Sequence, residues 1–206
     1  MKGRNRTLSE KKIEQNITFF DRWARTYDKP LFQFWMRRFY QPALRIIDGD
    51  KVLDVSCGTG EFLRELAKIK KMKLFGTDIS SQMIVKAHKK LGDQARLKNA
   101  DVHLLPFPDN SFDYVVSTES FHHYYGQKKA LEEMKRVAKK CGMVIVVDIN
   151  FFLKPIHWLF EKLEPGCVKV NSRQEMRDLF QKVGLHGIVQ YRSFIFSILT
   201  MGVKNE

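Results

Sequence analysis

Cysteine is scarce in this sequence: Cys57, Cys141 and Cys167 are far apart and show no Cys-x-x-Cys spacing. That excludes a disulfide framework and argues against a zinc site, so no metal is expected and a reducing cytoplasm is the expected setting. No run of about 18 apolar residues occurs, which removes a spanning helix. No fixed-period repeat or low-complexity tract is present. Residues 1 to 12 are polar and basic with no apolar stretch behind them, so no secretory signal is read. Acidic residues are also in deficit, 23 against 36 lysines and arginines, a formal charge of +13. Such an excess admits tRNA or a membrane surface as a contact through basic helices. The lysines interleave with apolar residues, however, as in Lys86, Lys89 and Lys90, which is the pattern of solvated helix faces.

What remains suits one domain of ordinary size, 206 residues with 44% apolar. Residues 8 to 47 read as two helices broken near Asp28-Lys29-Pro30, because proline disfavours helix in the residue before it. Aromatic rings crowd this segment, Phe19, Phe20, Trp23, Tyr27, Phe32 and Trp35 among them. They would pack on the domain or cover a pocket for an apolar ligand. From Asp50 the pattern is regular. Strands are expected at Lys51 to Val55, Lys73 to Thr77, Arg96 to Ala100, Phe112 to Ser117 and Met143 to Ile149. Helices are expected at Glu61 to Lys70, Ser81 to Lys90 with Ser80 as N-cap, and Gln127 to Lys139. This alternation predicts an α/β fold, a doubly wound parallel sheet buried on both faces. After a helix at Ser172 to Lys182, the strands His186 to Arg192 and Phe194 to Val203 follow with almost no connection, which forces an antiparallel hairpin. The chain therefore divides into an N-terminal helical cover, 1–47, and a ligand-binding domain, 48–206, with a short apolar insertion at 151–163 placed to form a lid.

The stretch Val52 to Phe62 is a strand, a turn of small residues and a helix start, the arrangement in which a ligand reaches the backbone. A dinucleotide site needs a third small residue where Leu63 stands, and the carboxylates of Asp54 and Glu61 repel a pyrophosphate. A ligand cationic at this end fits better. Asp78 closes the second strand 20 residues after Gly58, the separation at which a carboxylate accepts from both hydroxyls of a ribose. Asp101 at the end of the third strand could accept from an adenine amino group, and the Val102 amide could donate to a ring nitrogen. Ile79, Met83 and Leu105 could sandwich the base. Three carboxylates at the ends of successive parallel strands stand where open sheets bind ligands.

On these residues the sequence resembles the class I S-adenosylmethionine-dependent methyltransferases. Within them it is similar to the type-11 group, which includes ubiquinone and menaquinone biosynthesis enzymes. The motifs are residues 52 to 60, Gly76-Thr77-Asp78-Ile79-Ser80, residues 100 to 113, and the helix-turn-strand from Glu132 to Asp148. The resemblance implies a Rossmann-like seven-stranded sheet of order 3-2-1-4-5-7-6. It implies S-adenosyl-L-methionine as cofactor, with Asp54 and the Ser56, Cys57, Gly58 and Gly60 turn at the methionyl end. Asp78 would take the ribose, Asp101 with Val102 the adenine, and Ser117 would line the methionyl part. The pair Tyr27-Asp28 resembles the group's N-terminal Tyr-Asp, whose tyrosine closes over the cofactor. The group usually has glycine where Ser56 stands, and Pro-Gly-Gly where this chain has Lys140-Cys141-Gly142.

Methyl transfer from a sulfonium is an in-line displacement, so alignment is the protein's main task. His122 and His123, just after the fourth strand, are the candidates for a general base if the nucleophile must lose a proton. Cys57 lacks the electropositive setting of a nucleophile and reads as packing. The aromatic N-terminal segment and the apolar insertion favour a small apolar acceptor, a quinone precursor or lipid-like molecule. The charge and the Phe121-His122-His123 stretch, which resembles tRNA wobble-uridine methyltransferases, offer tRNA as the alternative. A non-catalytic cofactor-binding partner subunit is a further one.

Overall fold

Val52 and Leu53 are neighbours in sequence yet belong to different cores. Val52 is buried among Leu63, Ile145 and Leu199, and Leu53 among Val115, Met134 and Phe180. A strand that buries both faces requires helices above and below it. The computed structural model describes residues 8–24 and 26–205, the side chains of 8–12, 30–32 and 35 excepted. The rings of Phe32 and Trp35, expected in the cover, therefore lie outside the described residues.

Five strands run parallel: β1 (Lys51–Val55), β2 (Lys73–Asp78), β3 (Ala95–Asn99), β4 (Phe112–Thr118) and β5 (Ala138–Ile149). β6 (Leu185–Phe194) and β7 (Ser197–Lys204) form the expected hairpin, with β7 inserted antiparallel between β5 and β6. The order is β3-β2-β1-β4-β5-β7-β6, as the resemblance implied. α3 (Glu61–Ile69), α4 (Ser81–Leu91), α5 (Gln127–Val137), α6 (Lys154–Leu163) and α7 (Arg173–Lys182) follow their strands. Ser80 caps α4 by accepting from the Met83 amide, and Ser172 opens α7 in a capping box with Glu175. No helix among the described residues is long and apolar enough to cross a membrane.

One feature departs from the sequence reading. α5 stops at Val137 and β5 begins at Ala138, five residues early, with Cys141 at φ 59. Pairing with β4 is irregular here, passing from Phe112–Ala138 to Tyr114–Met143. A side chain at Gly142 would stand 2.8 Å from the Lys139 carbonyl, so glycine is what lets this bulge close. The N-terminal helices are α1 (Leu8–Trp23) and α2 (Pro30–Ile46). α2 packs on the domain: Tyr40, Ala43 and Leu44 are buried in the same core as Val52 and Leu63. Each such side chain adds roughly 1.5–3 kcal/mol of burial when large and apolar.

The chain leaves β1 toward β2 and β3 and returns on the other side of β1 as β4. That reversal opens a crevice at the carboxyl ends of the strands.

Candidate active site

The turn after β1 is built from left-handed residues: Ser56 at φ 58, Gly58 at φ 54 and Gly60 at φ 79. The two glycines serve different ends. A side chain on Gly60 would lie 2.7 Å from Leu91 Cδ1, so this glycine lets α3 and α4 meet and does not line the cavity. Gly58 does line it, with the Tyr27 ring 3.7 Å from where its Cβ would be. Ser56 keeps its left-handed backbone while its Oγ accepts from the Tyr124 hydroxyl at 2.9 Å; that hydroxyl also meets Ser117 Oγ at 2.9 Å. Cys57 is buried against Gly76 and Leu63, and burial pushes its thiol well above the usual range, as befits packing.

One inference from the sequence needs correction. Glu61 does not face the ligand: it bonds Arg64, and its Oε2 lies 3.1 Å from Lys90 Nζ. At the first position of α3 it is turned toward α4, so its charge is already answered. The unanswered charge is Asp54. Its carboxyl is fully buried, and neither oxygen has a hydrogen-bond partner among the described residues. Burial first, and Asp78 second, raise its pKa well above the carboxylate range. A buried carboxyl without partners is costly, and a cation placed beside it removes the cost.

Above Asp54 lies a cavity of about 360 Å³. Asp78 stands in its wall, oriented by two amides: Gly58 N donates to Oδ2 at 2.8 Å and Ser80 N to Oδ1 at 2.9 Å. Burial still pushes its pKa up to about 6. Each oxygen keeps a lone pair toward the cavity, the requirement for a vicinal diol. Ile79, Met83 and Val102 are also in the wall. Leu105 is not; it is buried in the core beside Phe112. Asp101 is in the wall but engaged, with Oδ1 2.5 Å from His103 Nδ1 and Oδ2 accepting from Tyr125 OH at 2.9 Å. These bonds hold its carboxyl below the usual range against its partial burial.

The N-terminal helices close this end. Tyr27 lines the cavity. Asp28 is pinned to the turn, with Oδ1 accepting from Thr59 Oγ1 and from Lys90 Nζ, each at 2.7 Å.

At the other end stand His122 and His123. His122 Nδ1 is 2.6 Å from Asp148 Oδ1, both side chains buried. That contact orients the ring, with Nδ1 turned to Asp148 and Nε2 away from it. His123 packs edge-on against Phe20, centroids 4.9 Å apart, and burial followed by His122 pushes its pKa down to about 3. Glu119 lines the cavity at φ 53, and burial with the nearby Asp148 raises its carboxyl well above the usual range. Phe20, Phe39, Ile149 and Phe160 make most of the remaining wall at this end.

The structure thus gathers Tyr27, Ser56, Gly58, Asp78, Ile79 and Met83 around one cavity, together with Asp101, Val102, His122 and His123. Asp54, Cys57, Gly60 and Ser117 stand behind its wall. Sequence reasoning missed Glu119, Tyr124, Tyr125, His103 and Asp148. The available signal was position: Glu119 directly follows β4 and Asp148 lies in the last turn of β5, the edge where the other carboxylates collect. Among the described residues no group of three His, Cys, Asp or Glu is placed to hold a metal ion.

Comparison with known proteins adds the following. The Methyltransf_11 model, described as a methyltransferase domain, matches residues 53–146. An uncharacterized protein of Methanocaldococcus jannaschii is 33% identical over 194 residues, covering 91% of this chain and 74% of its own length. A demethylmenaquinone methyltransferase of Bacillus cereus is 28% identical over 236 residues, covering 97% of this chain and 99% of its own. Among solved structures, a Haloferax volcanii protein in complex with the Trm112 methyltransferase activator has a TM-score of 0.78 at 26% identity, covering 91% of this chain and 98% of that one.

Proposed function

The chain belongs to the type-11 group of class I S-adenosylmethionine-dependent methyltransferases, and from that premise we propose that it methylates a small, largely apolar acceptor, a quinone precursor or lipid-like molecule. The observation that carries the reading is the cavity's polarity. One end is lined by Ser56, Gly58 and the oriented Asp78, with the orphaned Asp54 behind them, and the wall also holds Phe20, Phe39, Ile149 and Phe160 with His122. The acidic end fits the cofactor: Asp54 would answer the methionyl ammonium, Asp78 the ribose hydroxyls, and Asp101 with the Val102 amide the adenine, between Ile79 and Met83. When bound, the cofactor supplies an already activated methyl group on a sulfonium.

The rest is the work of this chain's residues. Tyr27 and the Asp28 anchor close the cover over the turn and exclude water. The apolar wall orients the acceptor, a contribution of up to about 7–11 kcal/mol in favourable intramolecular cases. His122 Nε2 would receive the acceptor's proton while Asp148 holds Nδ1, a role worth typically about 10²–10⁴-fold. His123, kept neutral among aromatics, would serve as wall. Glu119, whose buried carboxyl accepts from Ser197 Oγ at 3.3 Å, would stand beside the acceptor in the wall. The relatives named as demethylmenaquinone methyltransferases support this acceptor class.

The test is a screen with methyl-labelled cofactor against total lipid, total small RNA and total protein extracts. Label is expected in the lipid fraction. Asp78→Ala is expected to abolish it along with cofactor binding by calorimetry. Label confined to RNA or protein sinks the acceptor assignment.

A further inference from the structure

α6 is an apolar helix that faces two ways. Its inner side carries His157, Phe160, Glu161 and Glu164. His157 is buried with Nε2 3.0 Å from the Phe151 amide, Phe160 and Glu164 line the cavity, and Glu161 Oε1 accepts from the Val170 amide at 2.7 Å. Its outer side is a stripe at steps of three and four residues, Ile156, Leu159 and Leu163, exposed by 40, 49 and 71%, with Phe152, 67% exposed, just ahead of the helix. A second outer row, Lys154, Trp158 and Lys162, runs beside the stripe, with Lys162 Nζ 4.2 Å over the Trp158 ring. The helix's one acidic residue, Glu161, and its C-cap, Glu164, are turned inward, and both outward charges are lysines. The β6–β7 turn continues the patch. Phe196 stacks 5.5 Å from Phe151, Ile195 and Phe196 are about half exposed, and the Arg192 guanidinium lies 4.0 Å over the Phe152 ring.

An aliphatic stripe flanked by tryptophan and lysine, with carboxylates removed from the outer face, has the make-up of a helix that lies in a lipid–water interface. Solvent alone does not explain it, since contiguous exposed apolar patches of this kind are uncommon on a free surface. With ten residues the helix is too short to span a bilayer. We propose that α6 and the β6–β7 turn dock on an anionic lipid surface. The aliphatic stripe enters the acyl boundary, and Lys154, Lys162 and Arg192 sit among the headgroups. Charge complementarity selects lipid over a protein partner: the patch offers cations only, and the anionic leaflet attracts them. The inference deepens the acceptor reading and rests on it, because the helix that meets the lipid also walls the acceptor end of the cavity through Phe160.

Vesicle flotation tests this on the full chain, using phosphatidylcholine vesicles with and without phosphatidylglycerol. The wild type is expected to float with the mixed vesicles and much less with pure phosphatidylcholine. Ile156→Glu with Leu159→Glu is expected to lower the partition coefficient about ten-fold or more, whereas Ile69→Glu on α3 leaves it unchanged. Calorimetric binding of S-adenosylmethionine by the double variant checks that it is folded. Trp158→Phe should abolish the blue shift of tryptophan emission seen on vesicle addition. The proposal is overturned if the wild type does not float at low salt, or if the double variant floats equally well. It is also overturned if light scattering shows a wild-type dimer that the double variant dissolves, which would make the face an interface between copies. Flotation without methyl transfer into lipid extract would leave the docking standing and remove the lipid acceptor; transfer without flotation would do the reverse.

Discussion

At His122 and His123 a single residue step separates a ring tied to a carboxylate from one sealed among aromatics. The sequence offers them as equals; only the cover helix and the end of β5, far away in the chain, tell them apart. Their difference has a measurable consequence. His123 has its folded pKa lowered to about 3 from an ordinary 6.5, so the unfolded chain binds the extra proton first. Its contribution to stability is full above about pH 6.5 and is lost as pH falls toward 3, with a limiting slope of about 1.4 kcal/mol per pH unit. Asp78 acts with the opposite sign: its raised pKa contributes below about pH 4 and that contribution is lost as pH rises through about 6. Comparing His123→Phe with the wild type isolates the first effect, since phenylalanine keeps the ring against Phe20. As pH falls from 6.5 the wild-type urea midpoint should drop relative to the variant's, because only the wild type loses the histidine's share. Parallel acid limbs would show that His123 does not titrate from a buried neutral state. Glu61 shows the same limit of legibility. Its position in the turn was plain, but its direction is set by Lys90 on another helix.

Elements were more legible than side chains, because periodicity reports which faces are buried. β1 to β4, the cap at Ser80 and the closing hairpin all follow from local pattern. β5 was misplaced at its start since a glycine bulge carries pairing across a stretch that reads as helix end and loop. α2 was expected to pack on the domain or to cover a pocket, and Tyr40 and Ala43 are buried in the main core; which side packs could not be read from a run of aromatics. The outward stripe of α6 was visible as apolar content, but its exposure was not. At this scale the joint between cover and turn is testable. Asp28 ties the α1–α2 junction to Thr59 and Lys90 through one carboxylate oxygen, and these bonds lower its pKa despite partial burial. Partly exposed ion pairs contribute about 0–1 kcal/mol each. Asp28→Ala is therefore expected to leave the melting temperature within a few degrees of wild type. Binding of S-adenosylmethionine should weaken by roughly three- to ten-fold, since every 1.4 kcal/mol is tenfold and the joint spans two bonds. Calorimetry and thermal melts on one preparation separate the two effects. An equal loss in both would assign Asp28 to the fold rather than to closure.

Across the whole molecule, the charge of +13 is the bulk property that the site does not use. Much of the basic content is locally engaged: Lys90 with Asp28 and Glu61, Arg136 with Asp109 and Glu133, Lys139 with Asp113, and Lys128 with Glu132. Lys90 is on α4, Lys128 and Arg136 on α5 and Lys139 on β5, and each of these cations is already paired with a carboxylate, which leaves it less free for a nucleic acid backbone. The carboxylates of the site, Asp78 and Asp101 in the cavity wall and Asp54 behind it, are turned inward, where a polyanion gains nothing. Binding to tRNA should therefore be a matter of net charge alone, weak and indifferent to sequence, with counterion release making it steeply salt-dependent. Raising salt from about 50 to 200 mM should then abolish tRNA binding. Vesicle binding should survive in part, because the apolar component of docking is not screened. Filter binding with several purified tRNAs and flotation in the same buffers make the comparison direct. A strong preference for one tRNA that persists at the higher salt, together with methyl transfer into it, would move the acceptor from lipid to RNA and leave the cofactor end of the cavity as described.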